Sequence, residues 1–254
     1  MTEKLLQLLK AGTSAIMVVK EAEQQLKEAG FEELCFSNTW GLTEGGKYYM
    51  KHHDTTLLAF TVGQQVEFQE GFKIAAAHTD FPCLRIKPNP DVATSGYAQV
   101  NVEVYGGAIL NTWLDRPLSI SGRIAVKSND VMHPDMRYID IKRPLMTIPN
   151  LAIHMNREVN KGVELNRQTD MLPIVGLLEK ELNEKQAFLK FLAKEEGVAV
   201  EDILDYELWV YCMQEPLTFG MNEELILSPR LDNLTSVQAL LTGIIEGKQN
   251  KGIN

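Results

Sequence analysis

Two stretches in the middle of this chain alternate apolar and polar residues strictly. YAQVNVEVY, residues 97–105, puts Val100, Val102 and Val104 on one face, and LSISGRIAV, residues 118–126, repeats the pattern. Successive side chains of a strand point to opposite faces, so this spacing specifies half-buried antiparallel strands and excludes an amphipathic helix. The sequence on either side has a different period. The middle of the chain therefore reads as a second, β-rich domain inserted after the first strands of an α/β domain.

Before it, Leu5, Leu6, Leu9, Ile16, Val19, Ala22 and Leu26 recur at helical spacing, and Gly30 supplies a stop. Gly12-Thr13-Ser14 interrupts that run, with a hydroxyl available to cap a second helix. TTLLAFTV (residues 55–62) and FKIAAA (residues 72–77) read as strands, the first closed by a turn at Gly63. Beyond the alternating region, residues 171–195 read as helix with a solvated Lys/Glu face, and residues 207–212 and 224–227 read as strands. LDNLTSVQALLTGIIEG ends the chain as an amphipathic helix, with Leu234, Val237, Leu241, Ile244 and Ile245 on one stripe and Gly247 to end it.

Composition narrows the classes. The chain has 254 residues, a hydrophobic fraction of 44% and a charged fraction of 23%, as expected for a globular protein. Its net charge of −9 argues against a nucleic-acid partner, which basic clusters would recognise. No apolar run approaches the roughly 18 residues of a membrane span, and no secretory leader is evident. Cys35, Cys83 and Cys212 stand singly, without paired spacing. Together these features give a cytoplasmic protein with reduced thiols and no membrane partner.

The densest local chemistry lies in AAAHTDFPCLRIKP, residues 75–88. In extended backbone His78 and Asp80 face the same side, at the end of an apolar segment where α/β sheets bind ligands. A neutral imidazole ligates metals, and a neighbouring carboxylate can orient it. A surface histidine beside a turn fits the same spacing. Asp232, in SPRLDNLTS, stands at the N-terminus of the last helix, where a capping role is expected on structural grounds alone. Glu223 and Glu224 are adjacent, so a strand would send them to opposite faces, as surface residues. The run His52-His53-Asp54 reads as a polar turn, His133 as a loop residue and His154 as a buried structural histidine.

The order of the motifs adds what no single one carries. AAAHTDFPCLRIKP, YGGAILNTWLDRPLSISGRI, IPNLAIHMNREVN, ELNRQTDMLPIV and SPRLDNLTSVQALL, in that sequence, resemble the M18 metallo-aminopeptidases over nearly the whole chain. The resemblance implies a mixed sheet flanked by helices, with a catalytic domain at residues 1–89 that resumes at 217–254. It places an inserted β-rich dimerisation domain at residues 90–216. It implies hydrolysis of the N-terminal peptide bond of peptide substrates whose first residue is acidic or apolar. The cofactor would be zinc, two ions per active site, with cobalt or manganese as substitutes. His78 would ligate one ion, Asp80 would orient the site, and Asp232 would bridge both ions through a residue followed by a cis peptide. His154 would be supplied across a dimer to stabilise the reacting carbonyl, and dimers would assemble into dodecamers.

In that family further site residues follow the LDN helix: a Glu-Glu pair, an Asp and a final His. Glu223 and Glu224 precede Asp232 and cannot take those places. The expectation is a chain that lacks the rest of the catalytic domain and does not hydrolyse peptides by itself. Two other classes compete: an assembly module that oligomerises without metal, and a small single-metal α/β hydrolase.

Overall fold

Two chemical signals set the first helices. Ser14, extended at φ −150°, accepts a hydrogen bond from the Met17 amide at 3.5 Å and opens α2 (Ala15–Glu28) after α1 (Thr2–Ala11). Gly30, at φ +80°, ends α2: its amide donates to the Lys27 carbonyl and the Phe31 amide donates to that of Leu26, both at 3.0 Å. That pair of bonds is a Schellman stop, which needs a left-handed residue at Gly30.

The computed structural model describes residues 2–64, 71–177, 186–247 and 252–253. The chain divides into two compact units, residues 1–81 with 215–254, and residues 82–214.

In the first unit β1 (Glu32–Glu33), β2 (Lys47–His52) and β3 (Thr56–Thr61) form a mixed sheet, with β1 parallel and β3 antiparallel to β2. A short hairpin follows, of β10 (Leu217–Phe219) and β11 (Leu225–Leu227), and then α4 (Leu231–Glu246). Leu8, Leu9, Ile16, Val19 and Leu26 of the first two helices are buried with Tyr49 of β2 and Leu234, Val237 and Leu241 of α4. Between α2 and α4 lies a polar contact: Gln25 and Gln238, both buried, exchange two amide hydrogen bonds of 3.2 and 3.0 Å.

Residues 72–77 depart from the strand reading. Only Phe72 joins a bridge, to Ile253, and Ile74 is 84% exposed. A strand exists through its partners, and among the described residues this segment finds one bridge and no ladder.

The second unit is built on a six-stranded antiparallel sheet in the order β7-β6-β9-β4-β5-β8. Its strands are β4 (Cys83–Thr94), β5 (Tyr97–Tyr105), β6 (Leu118–Val126), β7 (Asp135–Asp140), β8 (Ile174–Leu177) and β9 (Ile203–Cys212). The alternation of the sequence is realised in β5, where Val100 and Val102 enter the core with Leu84, Leu208 and Val210. Leu118, Ile120 and Ile124 of β6 enter it too, but Ser119 and Ser121 on the other face of β6 are also fully buried, so that strand is covered on both sides. Ser95 and Gly96, at φ +52° and +84°, make the two-residue turn from β4 to β5. The pairing of β4 with β5 shifts between Ile86 and Asp91, around Pro88 and Pro90, which lack the amides a ladder needs. Tyr206 bridges that irregularity by donating to the Lys87 carbonyl at 2.6 Å. At Gly122 a Cβ would sit 2.0 Å from the Glu207 carbonyl oxygen, so β6 and β9 approach as only glycine allows.

The helix expected over residues 171–195 is confined to α3 (Ala187–Glu196), whose Phe188 and Leu192 cover the sheet. Ile174–Leu177 is strand β8 instead, paired on the edge of β5, and residues 178–185 lie outside the described residues. A four-residue apolar run has no length over which to show a period. Among the described residues no helix is long and apolar enough to cross a membrane.

One charge cluster ties α2 to the first sheet. The buried Tyr49 hydroxyl lies 3.2 Å from a carboxylate oxygen of Glu23 and, equally, of Glu33, while Lys51 and Lys27 reach Glu23 at 2.9 and 2.7 Å. Burial raises the Glu23 pKa, but the two lysines outweigh it and hold the carboxyl below its usual value. Its contribution is therefore present above the ordinary glutamate pKa of 4.5 and is lost as pH falls through the lowered value. Glu23→Gln should cost about 1–3 kcal/mol at neutral pH. In urea unfolding the gap between the variant and the parent should close as the solution is acidified. A gap independent of pH would contradict this account.

Candidate metal-binding site

Three of the four residues singled out in the sequence come together in the first unit. Among the described residues no ladder holds the segment that carries His78 and Asp80, and side chains fix it instead: the Thr79 hydroxyl donates to the Thr55 carbonyl at 3.2 Å, at the entrance to β3, and Phe81 is buried. His78 Nδ1 lies 2.9 Å from the Asp80 carbonyl oxygen and 3.4 Å from its carboxylate. A carbonyl can only accept, so this contact assigns the proton to Nδ1 and leaves the lone pair on Nε2.

That lone pair faces Asp232. His78 Nε2 is 3.7 Å from Asp232 Oδ1, and the Asp232 side chain is 97% exposed. Asp232 does not act as the helix cap its position suggested. Its φ of −89° and ψ of 111° are extended, the Asp232–Asn233 peptide is cis, and Arg230, at φ +68°, precedes the first turn of α4. The non-helical pair Asp232-Asn233 turns the carboxylate towards His78.

The donor chemistry and spacing fit a divalent cation. At 3.7 Å the imidazole and carboxylate are too far apart for a hydrogen bond. Two ligands each about 2.1 Å from one tetrahedral zinc stand roughly 3.4 Å apart, close to that span. The imidazole has its other nitrogen engaged, as metal-ligating histidines do. Among the described residues no group of three or more His, Cys, Asp or Glu side chains is disposed to hold a metal ion. The first unit thus presents two donors and a residue that orients one of them.

His154 lies in the second unit, in an exposed turn after residues 145–148, and is not the buried histidine that its apolar neighbours suggested. The other candidates have local roles. Glu224 accepts from the Asn222 amide at 2.9 Å and closes the β10–β11 turn, and Glu223 sits in that turn at φ +57°. The His52 and His53 rings meet at a tilt, 4.0 Å between centres, where β2 passes into the turn to β3, with Phe36 edge-on to His52. His133 pairs with Asp130, three residues before it, at 2.7 Å.

Two residues near the donors escaped the sequence reading. The Arg230 guanidinium lies 5.6 Å from the centre of the Phe81 ring and donates to the Leu9 carbonyl at 2.9 Å. Each contact joins residues far apart in sequence, and the one visible sign was a basic and an aromatic residue beside the two motifs.

A profile of the family described as aminopeptidase I zinc metalloprotease (M18) matches residues 8–254. The chain is 41% identical over 252 residues to the probable M18 family aminopeptidase 2 of Clostridium novyi (strain NT), covering 99% of this chain and 58% of that protein. It is 42% identical over 253 residues to the protein of the same name from Clostridium acetobutylicum, with the same coverage of 99% and 58%. Among solved structures it is similar to a chain of the cryo-EM complex of Ape4 and Nbr1, with a TM-score of 0.91 and 29% identity over 98% of this chain and 52% of that one. It is also similar to mApe1 of Chaetomium thermophilum, with a TM-score of 0.88 and 28% identity over 99% of this chain and 60% of that one. The mixed sheet flanked by helices is the architecture these structures share with it. The chain spans 58% of the length of the two clostridial relatives.

The start of α4 depends on Gly12, where a Cβ would meet Val18 Cγ2 at 2.7 Å, the Leu8 carbonyl oxygen at 2.8 Å and Leu234 Cδ1 at 3.3 Å. Gly12→Ala should destabilise the protein by roughly 1–3 kcal/mol through overpacking, read as a lower urea midpoint at unchanged slope. An unchanged midpoint would show that the helices separate there at no cost.

Proposed function

The chain belongs to the M18 family of zinc metalloproteases, and on that premise we propose that it serves a metal-dependent aminopeptidase, which removes the first residue of peptides. The observation that carries this reading is the line of Asp80, His78 and Asp232: a carbonyl on Nδ1, a lone pair on Nε2 and a carboxylate 3.7 Å beyond it. His78 and Asp232 would hold zinc, and cobalt or manganese would suit the same donors. Zinc supplies Lewis acidity that polarises a carbonyl and makes water nucleophilic near neutral pH. Asp80, through its carbonyl on Nδ1, fixes the His78 tautomer and ring orientation and so aims Nε2 at the metal. Preferred substrates carry an acidic or apolar first residue.

The second unit is the self-association module in this reading, with His154 delivered to a neighbouring subunit to stabilise charge on the reacting carbonyl. Apolar side chains around that turn, Leu151, Ile153 and Met155, are 55%, 46% and 75% exposed, as a surface awaiting a partner subunit would be. This arrangement is what the resemblance implies for dimers and for a dodecamer built from them.

Elemental analysis of the purified, dialysed protein tests the reading first. Zinc should be retained by the parent and lost from His78→Ala, and zinc unchanged in the variant would remove His78 from the site. In the intact enzyme, with the remaining site residues present, His154→Ala should leave the zinc content unchanged and lower turnover of an aminoacyl anilide by about 10²-fold or more. Loss of metal in that variant would place His154 among the ligands instead.

A further inference from the structure

Asp80 and Asp232 belong to segments distant in sequence, and the residues beside them touch through one side chain. We propose that Arg230 is a positioning residue for the metal-binding pair, a strut that sets the distance between His78 and Asp232. The inference rests on the metal-site reading above and adds to it the group that holds the two donor segments together.

Arg230 lies two residues before Asp232, and Phe81 directly follows Asp80. The guanidinium lies 5.6 Å from the centre of the Phe81 ring, within the range of a cation–π contact. The ring is itself 5% exposed, so the face it offers is fixed by the core. The same guanidinium donates through Nη2 to the Leu9 carbonyl at 2.9 Å. Leu9 stands in the last turn of α1, where carbonyls lack helical partners. The Thr13 amide, which a continuing helix would give to Leu9, donates to Ala11 instead. A cation at a helix C-terminus also meets the negative end of the dipole. Arg230 is thus anchored at two fixed points, one on a helix end and one on the ring that follows the His78 segment.

The backbone supports the assignment. Arg230 sits at φ +68° and ψ 20°, a left-handed conformation that favours glycine and is uncommon for a long side chain. The local chain does not ask for an arginine there, whereas the contacts of its side chain do. Lysine would not replace it: an ammonium can donate to Leu9 but has no planar face for the ring.

The test is zinc affinity of the full chain, measured by competition with a chromophoric chelator, together with the visible spectrum of the Co2+ form. Arg230→Met keeps the bulk and removes the cation. It should weaken zinc 10- to 100-fold, as loss of other supports of metal ligands does, and should shift the Co2+ bands while circular dichroism stays that of the parent. Arg230→Lys should recover only part of the affinity. Equal affinity and an identical Co2+ spectrum in a folded Arg230→Met protein would overturn the proposal. If that variant fails to fold, Phe81→Leu, which keeps the core apolar and removes the ring face, should weaken zinc in the same direction; unchanged affinity there would equally overturn it. A parent protein that binds neither ion would overturn the metal-site reading, and this inference with it. A parent that binds while both variants match it would sink the role of Arg230 alone.

Discussion

The donors of the candidate site stand where they do because the turn between α1 and α2 lies against the first residues of α4. Gly12 admits Leu234 to within contact distance of where a Cβ would be, and Leu8 and Val18 close the other sides. Leu234 is buried two residues after Asp232, so its packing sets the depth at which α4 begins. The core in this way positions a carboxylate that is itself almost fully in water. Arg230, carrying its charge to the end of α1, adds the lateral constraint. Exposed donors fixed by buried neighbours can exchange water for a cation without rearranging the core.

How much of this was legible in the sequence follows from the range over which each signal acts. Ser14 and Gly30 act on amides within three or four residues, so the helix ends they dictate can be read locally. Alternation over nine residues requires a two-sided environment, which the sheet supplies at β5, whereas β6 is buried on both faces over Leu118–Gly122 despite its alternating sequence. Residues 72–77 and 174–177 were misread for one shared reason: whether an apolar run becomes a strand is decided by a partner that its own residues do not specify. The spacing of His78 and Asp80 fitted a surface turn as well as a ligand pair, and it was the order of the motifs along the chain that singled the two out. The approach of Asp232 to His78, and the contacts of Arg230 with Phe81 and Leu9, depend on tertiary packing that no local pattern encodes.

The second unit solves a different problem with the same economy of special residues. Prolines at 88 and 90 deny β4 its amides where the pairing shifts, and Tyr206 takes up the Lys87 carbonyl there. Burial, with Asp91 and Asp205 nearby, pushes the Tyr206 phenol up to about 12, so it stays a donor throughout the physiological range. Asp91, just past the shift, accepts from the Phe188 amide at 2.9 Å at the start of α3. One irregularity in one strand therefore organises both a tyrosine anchor and the entry of the helix that covers the sheet.

The reciprocal amide pair of Gln25 and Gln238 bears on the question of alignment between α2 and α4. Apolar side chains tolerate sliding, since one leucine contact exchanges for another at modest loss. Two buried amides do not, because both bonds across the helices would be lost at once, leaving only those within each helix, Gln25 to Glu21 and Gln238 to Thr242, both at 3.3 Å. Slipping α4 by one turn would carry Gln238 about 5.4 Å along the axis and leave both side-chain carbonyl oxygens without their partner amide in the core. The pair makes the alignment of the two helices all-or-none, like a tooth in a ratchet. Whatever fluctuations the surface segments undergo, the helix that carries Asp232 has a single notch in which to rest.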